Sequence, residues 1–360
     1  MRSIKPDSDK PIRLDRRALL TSLAGTGCAL ALPMLAAAQD DDEAPLPPAP
    51  EAIEIAVRPI PHFERSKPDV KRFGKLEYRG GLVLSAPSTS FGGWSGLVMA
   101  PDGSKLLSIS DIGGWLTADI TYDGSRPTDL KNARIGPLVS SRGQPLKDKR
   151  EKDAEAVALL DGTLANGTLL IGFERLHRIG RFPVRNGEVQ APSGYLTLHP
   201  DARRMSANQG IEAVTVLQGG RLKGSIVDFA ERFTRGSGYH TGWIWVGGAP
   251  RPFQLQDIDG FNITDAASLP NGDLLVLERF FRWTDGVKMR IRRLAAAEIA
   301  PGARLMGETL IQADSSFEID NMEGIAVHRA SNGDTVISVI SDDNFNRMLQ
   351  RTLFLQFTLT

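Results

Sequence analysis

The sequence predicts an all-β protein, a β-propeller built from five four-stranded blades. A short signature occurs five times, and its second residue recurs at intervals of 53 to 60 positions, which indicates a repeat architecture. Most copies are followed by an apolar run, an Asp-Gly or Asn-Gly turn and a second apolar run, the strongest short signal for a β-hairpin. The five copies are Trp94-Ser95-Gly96-Leu97, Ala154-Glu155-Ala156-Val157, Ile211-Glu212-Ala213-Val214, Thr264-Asp265-Ala266-Ala267 and Met322-Glu323-Gly324-Ile325.

Further strand-like runs follow each hairpin and would complete a four-stranded sheet. The predicted second strands are 105–110, 168–173, 225–229, 273–277 and 335–340. The predicted third and fourth strands are 115–121 and 133–138, 178–184 and 194–198, 242–246 and 253–256, and 287–293 and 303–311. Sheets repeated around an axis leave few exposed strand edges, which favours a closed ring.

The fifth unit is one strand short. After its hairpin, only the run 351–359 remains before the chain ends. We predict that the missing outer strand comes from the N-terminal side, where the runs 76–78 and 81–85 precede the first signature. The two ends of the chain would then share one sheet and close the ring. A six-bladed ring is the alternative, if one blade has lost its signature.

The N-terminal residues predict an exported protein. Arg16-Arg17 precedes a moderately apolar run at 19–35, and Ala36-Ala37-Ala38 offers a small-residue cleavage site. The paired arginines resemble the bacterial twin-arginine export signal; an ordinary secretory signal or an uncleaved anchor is the alternative. We therefore predict an export signal at 1–38, an acidic, Pro-rich linker and N-terminal extension at 39–74, and a propeller domain at 75–360 in the periplasm or secreted.

Composition excludes several classes of site and partner. The single cysteine, Cys28, lies in the predicted signal, so the mature chain would have no disulfide, thiolate nucleophile or Cys-based zinc site. Lys and Arg number 43, as do Asp and Glu, which is not the footprint of a nucleic-acid partner. Gly25 and Pro33 interrupt the apolar run, so we expect no stable membrane span after cleavage. We expect a monomer.

The repeat predicts a ring of acidic side chains at one mouth of the propeller. In a hairpin, the start of the first strand and the end of the second lie at the same edge of the sheet. Oxygen ligands gathered there suit a hard divalent cation, with Ca²⁺ the expected one. The predicted metal ligands are Glu155, Glu212, Asp265 and Glu323. In the alternative interpretation, each acid accepts backbone hydrogen bonds from the neighbouring blade and locks the ring.

Further charged residues follow the second strand of each hairpin. Three Glu-Arg pairs occur there, and their arginines would either orient an anionic group or form structural ion pairs. These predicted substrate-binding residues are Arg175, Arg232 and Arg279. The predicted acid–base residues are Glu174, Glu231 and His240, of which His240 is placed in a loop that opens on the acidic mouth. An exposed histidine without a catalytic role is the alternative for His240.

Several runs together resemble the bacterial phytase-like domain, whose members are called esterase-like proteins of the phytase family. The matching runs are Asp-Ala-Glu-Ala-Val at 153–157, Gly-Ile-Glu-Ala-Val at 210–214, Leu-Leu-Val-Leu-Glu-Arg at 274–279 and Asn-Met-Glu-Gly-Ile at 321–325. The resemblance covers residues 75–360 and implies an exported propeller with phosphoesterase activity. The family is similar at a distance to calcium-dependent propeller lactonases, whose channel metal is held by a Glu-Gly motif; only Glu323-Gly324 matches that dipeptide.

Two functional hypotheses follow. The first is an exported, metal-dependent hydrolase that acts on a phosphate or other ester at the acidic mouth, with a small anionic ester as substrate. The second is a non-catalytic binding or scaffold propeller of the cell envelope, in which the ring of acids is structural. Propellers serve both roles, so the fold alone does not decide between them.

Overall fold

The computed structural model describes residues 45–207, 209–231, 233 and 238–360. The predicted export signal at 1–38 lies outside these residues. The described residues form strands almost throughout, with one short α-helix, α1 (Lys149–Lys152), and one 3₁₀ turn, Pro200–Arg204. No helix in this part of the chain is long and apolar enough to cross a membrane.

The strands occur in six groups along the chain, an N-terminal group and one group for each of five blades. The N-terminal strands are β1 (Glu51–Ala52), β2 (Ala56–Ile60), β3 (Arg72–Phe73) and β4 (Leu76–Ser85). The first blade contributes β5 (Trp94–Met99), β6 (Lys105–Ser110), β7 (Gly114–Asp123) and β8 (Arg126–Pro137). The second contributes β9 (Ala154–Gly162), β10 (Asn166–Phe173), β11 (Arg178–Arg185), β12 (Glu188–Val189) and β13 (Gly194–Tyr195).

The third blade contributes β14 (Ile211–Val216), β15 (Ile226–Ala230), β16 (Tyr239–Val246) and β17 (Ala249–Gln256). The fourth contributes β18 (Asn262–Ser268), β19 (Leu274–Arg282), β20 (Gly286–Leu294) and, after the short β21 (Arg304–Leu305) that joins the third blade, β22 (Glu308–Ala313). The last contributes β23 (Asn321–Arg329), β24 (Thr335–Asp342) and β25 (Thr352–Leu359).

These strands form five sheets, which confirms the five-bladed propeller. In each repeat, the strand that carries the signature lies at one end of its sheet. These five strands (β5, β9, β14, β18 and β23), here called the inner strands, contact one another in a closed ring. In the last sheet the order is β2-β4-β25-β24-β23, with Gly81 opposite Leu355 and Leu82 opposite Phe354. The N-terminal strand β4 therefore closes the ring as predicted.

Two outer strands differ from the prediction. The run 194–198 supplies only the short β13, which pairs with β11 beside β12. The run 303–311 splits: β21 joins the third blade in parallel with β17, and β22 completes the fourth. The chain turns between them at Gly307, whose φ of 75° is left-handed, a conformation that glycine adopts at low cost.

A β-bulge interrupts every inner strand at the same place. In each pairing with the second strand the register shifts by one residue next to the start of the signature. The extra residue stands opposite no partner, and its side chain is turned out of the regular alternation. The bulge residues are Ser95, Glu155, Glu212, Thr264 and Glu323. In the fourth blade the bulge residue is Thr264. The repeat alignment had placed Asp265 at this position, but Asp265 is the residue after the bulge.

The core consists of five clusters of buried apolar side chains, one between each pair of neighbouring blades. Between the last blade and the first, Leu82 of β4 and Phe354 of β25 pack with Leu106 and Leu116. Since Leu82 is fully buried, the closing strand holds the ring by apolar packing as well as by backbone hydrogen bonds.

We expect Leu82→Ala to lower the free energy of unfolding by about 2–5 kcal/mol, because it leaves a cavity at the closure between the two chain ends. The measurement is a urea titration followed by circular dichroism. Glu77→Ala is the matched control, since Glu77 lies on the same strand but is exposed. An equal, small effect of both substitutions would mean that β4 does not hold the ring.

Candidate functional site

The inner strands begin at a cavity of about 280 Å³. Its lining consists of the five bulge residues, five residues in or directly after the second strands, and two asparagines. The second-strand residues are Asp111, Glu174, Glu231, Arg279 and Asp342, and the asparagines are Asn321 and Asn344. Starts of first strands and ends of second strands therefore lie around one opening, as hairpin geometry requires.

Three of the four predicted metal ligands line this cavity, and the fourth does not. Glu155, Glu212 and Glu323 are bulge residues and face it. Asp265 is fully buried beneath them, where its carboxylate accepts hydrogen bonds from the amides of Ala266 and Ile325, both at 2.8 Å. The bulge at Thr264 is the physical reason, because it turns the next residue away from the opening.

Asp265 connects neighbouring inner strands instead. Besides the Ile325 amide of the last blade, the Leu97 amide of the first blade donates to its carboxylate. Burial raises the pKa of Asp265, and these amide donors oppose the rise. Asp265 thus fits the alternative interpretation of the acidic positions, in which a carboxylate binds the backbone of a neighbouring blade and locks the ring.

Carboxylates greatly outnumber cationic groups around the cavity. In the described part of the lining there are seven carboxylates and one guanidinium, that of Arg279. The Nε atom of Arg279 lies 3.1 Å from Oε1 of Glu323. At one side of the cavity, Nζ of Lys149 lies 2.7 Å from Asp111 and 2.8 Å from Asp153. The remaining carboxylates share a small, poorly solvated volume.

This crowding raises the pKa of several carboxyl groups. Burial, followed by repulsion from Asp153, raises the pKa of Glu174 to about 7. Burial also raises the pKa of Glu323 to about 7, although Arg279 opposes the rise. The pKa of Glu212 is well above its ordinary value because of burial and then of the charges on Glu155, Glu174, Glu231 and Glu323.

Two groups of three carboxylates bring their oxygens within 4.8 Å of one another, and Glu174 belongs to both. The first group adds Asp153 and Glu155, but Asp153 is already paired with Lys149 and with Arg175. The second group adds Glu212 and Glu231. An all-oxygen donor set of this kind fits Ca²⁺ or a similar hard cation.

His240 and Arg175 do not reach this cavity. His240 is the second residue of β16 and is 3 % exposed, so its predicted place in an open loop was wrong. Its Nδ1 lies 3.1 Å from the carbonyl oxygen of Glu231, and burial lowers its pKa. Nε of Arg175 donates to Asp153 at 3.1 Å, as a structural ion pair. Arg232 lies outside the described residues.

The sequence did not predict a place at this site for Thr264, Asn321, Asn344 or Lys149. Thr264 was missed because Ile263-Thr264-Asp265-Ala266 can be aligned with the repeat in two ways, and only the register with Leu277 decides between them. Asn321 stands two residues before Glu323, and Asn344 two residues after Asp342. A systematic count of polar residues near each signature could have found both. Lys149 precedes the second signature, on α1.

Fold and cavity together define a five-bladed propeller with an acidic central pocket. The chain belongs to the phytase-like family, described as "Esterase-like activity of phytase", whose profile matches residues 89–345. No curated protein matches the chain.

Among solved structures, an endo-arabinase from Bacteroides thetaiotaomicron shares 12% identity over 74% of this chain and 94% of its own, with a TM-score of 0.46. The β-propeller domain of Cps50 (Swd1) from Myceliophteria thermophila shares 8% identity over 86% and 99%, with a TM-score of 0.37. AofleA from Arthrobotrys oligospora shares 8% over 79% and 82%, with a TM-score of 0.35. These similarities are too low to bear on function.

We expect Asp265→Asn to destabilise the chain by about 1–3 kcal/mol, because an amide NH₂ group would face backbone N–H donors in a buried site. Thermal unfolding measures the effect. Asp123→Asn is the control, since Asp123 is exposed at the end of β7. A variant as stable as the control would show that Asp265 does not lock the inner strands.

We expect stability in a chelating buffer to fall as the pH rises from 6.5 to 8. Glu174 and Glu323 each hold a proton in the folded chain up to a pKa of about 7, but release it near 4.5 when unfolded. The folded state therefore binds more protons in this window, and the free energy of unfolding falls with rising pH. His328, whose pKa falls from 6.5 to about 4 on folding, acts in the opposite direction, mainly below pH 6.5, and its effect fades as the pH rises through this window.

The melting temperature measured across that range tests the sign. Glu174→Gln should flatten the slope, whereas the exposed control Glu77→Gln should keep it. A melting temperature that rises from pH 6.5 to 8 in the wild-type chain would contradict the raised pKa values.

Proposed function

We propose that this protein is an exported hydrolase of phosphate or other esters that uses a divalent cation, with Ca²⁺ the expected one, at the acidic cavity. The supporting observation is the excess of carboxylates over cationic groups around a cavity of about 280 Å³. Like charges gathered so closely are unfavourable unless they are paired, protonated or bound to a cation. The family description supports ester hydrolysis as the reaction.

Glu174, Glu212 and Glu231 are the residues that would hold the cation. Their oxygens lie within 4.8 Å of one another. Glu212 is a bulge residue near the middle of the group, and the charges of Glu155, Glu174, Glu231 and Glu323 all raise its pKa. An anionic ester would be repelled by such a cavity unless positive charge first neutralises it. Cation binding and substrate binding are therefore coupled in this proposal.

A bound cation would supply Lewis-acid polarisation of the ester oxygen and a lower pKa for a water molecule. Because Glu174 is a ligand of the cation in this proposal, the cation would keep its carboxylate ionised, and Glu174 would not serve as the acid–base group. Arg279, held against Glu323 at the wall, has guanidinium N–H groups that can donate to an anionic oxygen. His240 takes no part, because it is buried behind Glu231.

The place of action follows from the N-terminal residues. The pair Arg16-Arg17, the apolar run 19–35 and the small residues before position 39 support a twin-arginine signal of bacterial type. We propose that the mature chain works in the periplasm or outside the cell, where free Ca²⁺ suffices for a site of moderate affinity.

We expect Glu212→Gln to lower the hydrolysis of 4-nitrophenyl phosphate or 4-nitrophenyl acetate by on the order of 100-fold, because it removes the central ligand of the cation. The same variant should lose the rise in melting temperature that added Ca²⁺ gives the wild-type chain. The exposed control Glu77→Gln should keep both properties.

Each result separates the hypotheses. Full activity in Glu212→Gln would contradict the assignment of the site. A wild-type chain that is stabilised by Ca²⁺ but hydrolyses neither ester would favour the non-catalytic binding propeller instead.

A further inference from the structure

Exposed apolar side chains are concentrated where the chain passes from the second to the third strand of a blade, on the side of the ring that holds the acidic cavity. Among the large hydrophobic residues exposed in the described part of the chain, Phe281 and Trp283 lie at the end of the second strand β19. Three others lie in the segments between second and third strands: Leu176, Met348 and Leu349. The second strands reach the cavity, so the segments that follow them lie on its side of the ring. A polar cavity with an apolar rim is the arrangement expected for a ligand with one charged and one apolar end.

The fourth blade carries the clearest part of this rim. Strand β19 continues past the cavity residue Arg279 and pairs with β20 as far as Arg282 opposite Gly286, without a register shift. Side chains alternate along a regular strand, so Phe281 lies on the same face as Arg279 and roughly 7 Å further from the cavity floor. Trp283 follows in the turn, one residue after the end of β19.

Phe281 and Trp283 are not needed by the core. Trp283 is 93 % exposed and Phe281 is 51 % exposed. Their rings touch in a T-shaped arrangement, with centroids 5.5 Å apart. The neighbouring Phe280, in contrast, is buried against Phe261. The hairpin thus presents an aromatic pair to solvent, and exposed aromatic residues of this kind commonly serve recognition.

We propose that Phe281 and Trp283 form a subsite for the apolar group of the substrate, so that the hydrolase takes esters with a charged or polar end and an alkyl or aryl chain. This inference rests on the proposed function, because it places the ester itself in the acidic cavity. The chain of such a substrate leaves the cavity past Arg279 and lies against the two aromatic rings. Its burial there adds affinity in proportion to the apolar area covered.

Trp283 provides a direct readout of binding. The other four tryptophans, Trp94, Trp115, Trp243 and Trp245, are each at most 8 % exposed, so a ligand on the rim would change mainly the emission of Trp283. The probes are hexylphosphonate and methylphosphonate, which share a charged head and are not esters, each titrated into the full chain with Ca²⁺. We expect hexylphosphonate to shift the emission to shorter wavelength and to bind at least about tenfold more tightly.

Two variants test whether Phe281 causes the preference for hexylphosphonate. Phe281→Ala should bring the two phosphonate affinities to within about twofold of each other, because it removes the ring nearest the cavity while leaving the reporter. Tyr195→Ala is the matched control: Tyr195 is a 44 % exposed aromatic residue on the outer strand β13, and its loss should leave the preference unchanged. Equal affinities in the wild-type chain, binding of neither probe, or an unchanged preference in Phe281→Ala would each overturn the subsite.

Hydrolysis assays distinguish this inference from the proposed function. For 4-nitrophenyl hexanoate against the acetate, we expect kcat/KM to be about tenfold higher in the wild-type chain and equal in Phe281→Ala. Turnover with no dependence on chain length would overturn the subsite and keep the hydrolase. Absence of any turnover would overturn the hydrolase, and the phosphonate affinities would still decide whether the rim binds apolar chains.

Discussion

The β-bulge at the second residue of every signature determines the centre of this molecule. A regular strand would alternate its side chains between the faces of a blade, towards the neighbouring blades. The extra residue breaks that alternation at the same level in all five inner strands, so five side chains face the axis together. Three of them are glutamates. The acidic cavity is thus a consequence of backbone geometry repeated around a ring.

This geometry brings like charges close together, and neighbouring cationic groups compensate some of the carboxylates more than others. Arg279 offsets Glu323, and Lys149 offsets Asp111 and Asp153, whereas Glu212 stands among four other carboxylates that raise its pKa. Destabilising arrangements that persist at a cavity are typical of functional sites, since a fold that needed only stability could replace the acids with apolar groups. The same residues that weaken the ring are those best placed to hold a cation.

Much of the fold could be predicted because its signals are repeated and local. The hairpin turns, the even spacing and the missing strand of the last unit together specify five blades closed by β4. The identity of individual site residues depends on register, which changes face with a shift of one position. Asp265 and Thr264 were exchanged for this reason, and His240 was misplaced because the length of β16 is set by pairing with β17 rather than by its own sequence.

The two ends of the central channel differ in chemistry, and the charged groups lie at one of them. Where the inner strands end, a second cavity of about 340 Å³ is lined mainly by apolar residues such as Leu97, Val157 and Ile325. The acid–base group in that lining with a resolved shift, His328, has its pKa lowered to about 4 by burial and stays neutral at neutral pH. Asp265, bound to backbone amides of the inner strands, belongs to the packing of the ring. Among the described residues of the two cavities, the carboxylates are therefore gathered at the bulge residues and in or directly after the second strands, where we propose that the cation and the ester bind.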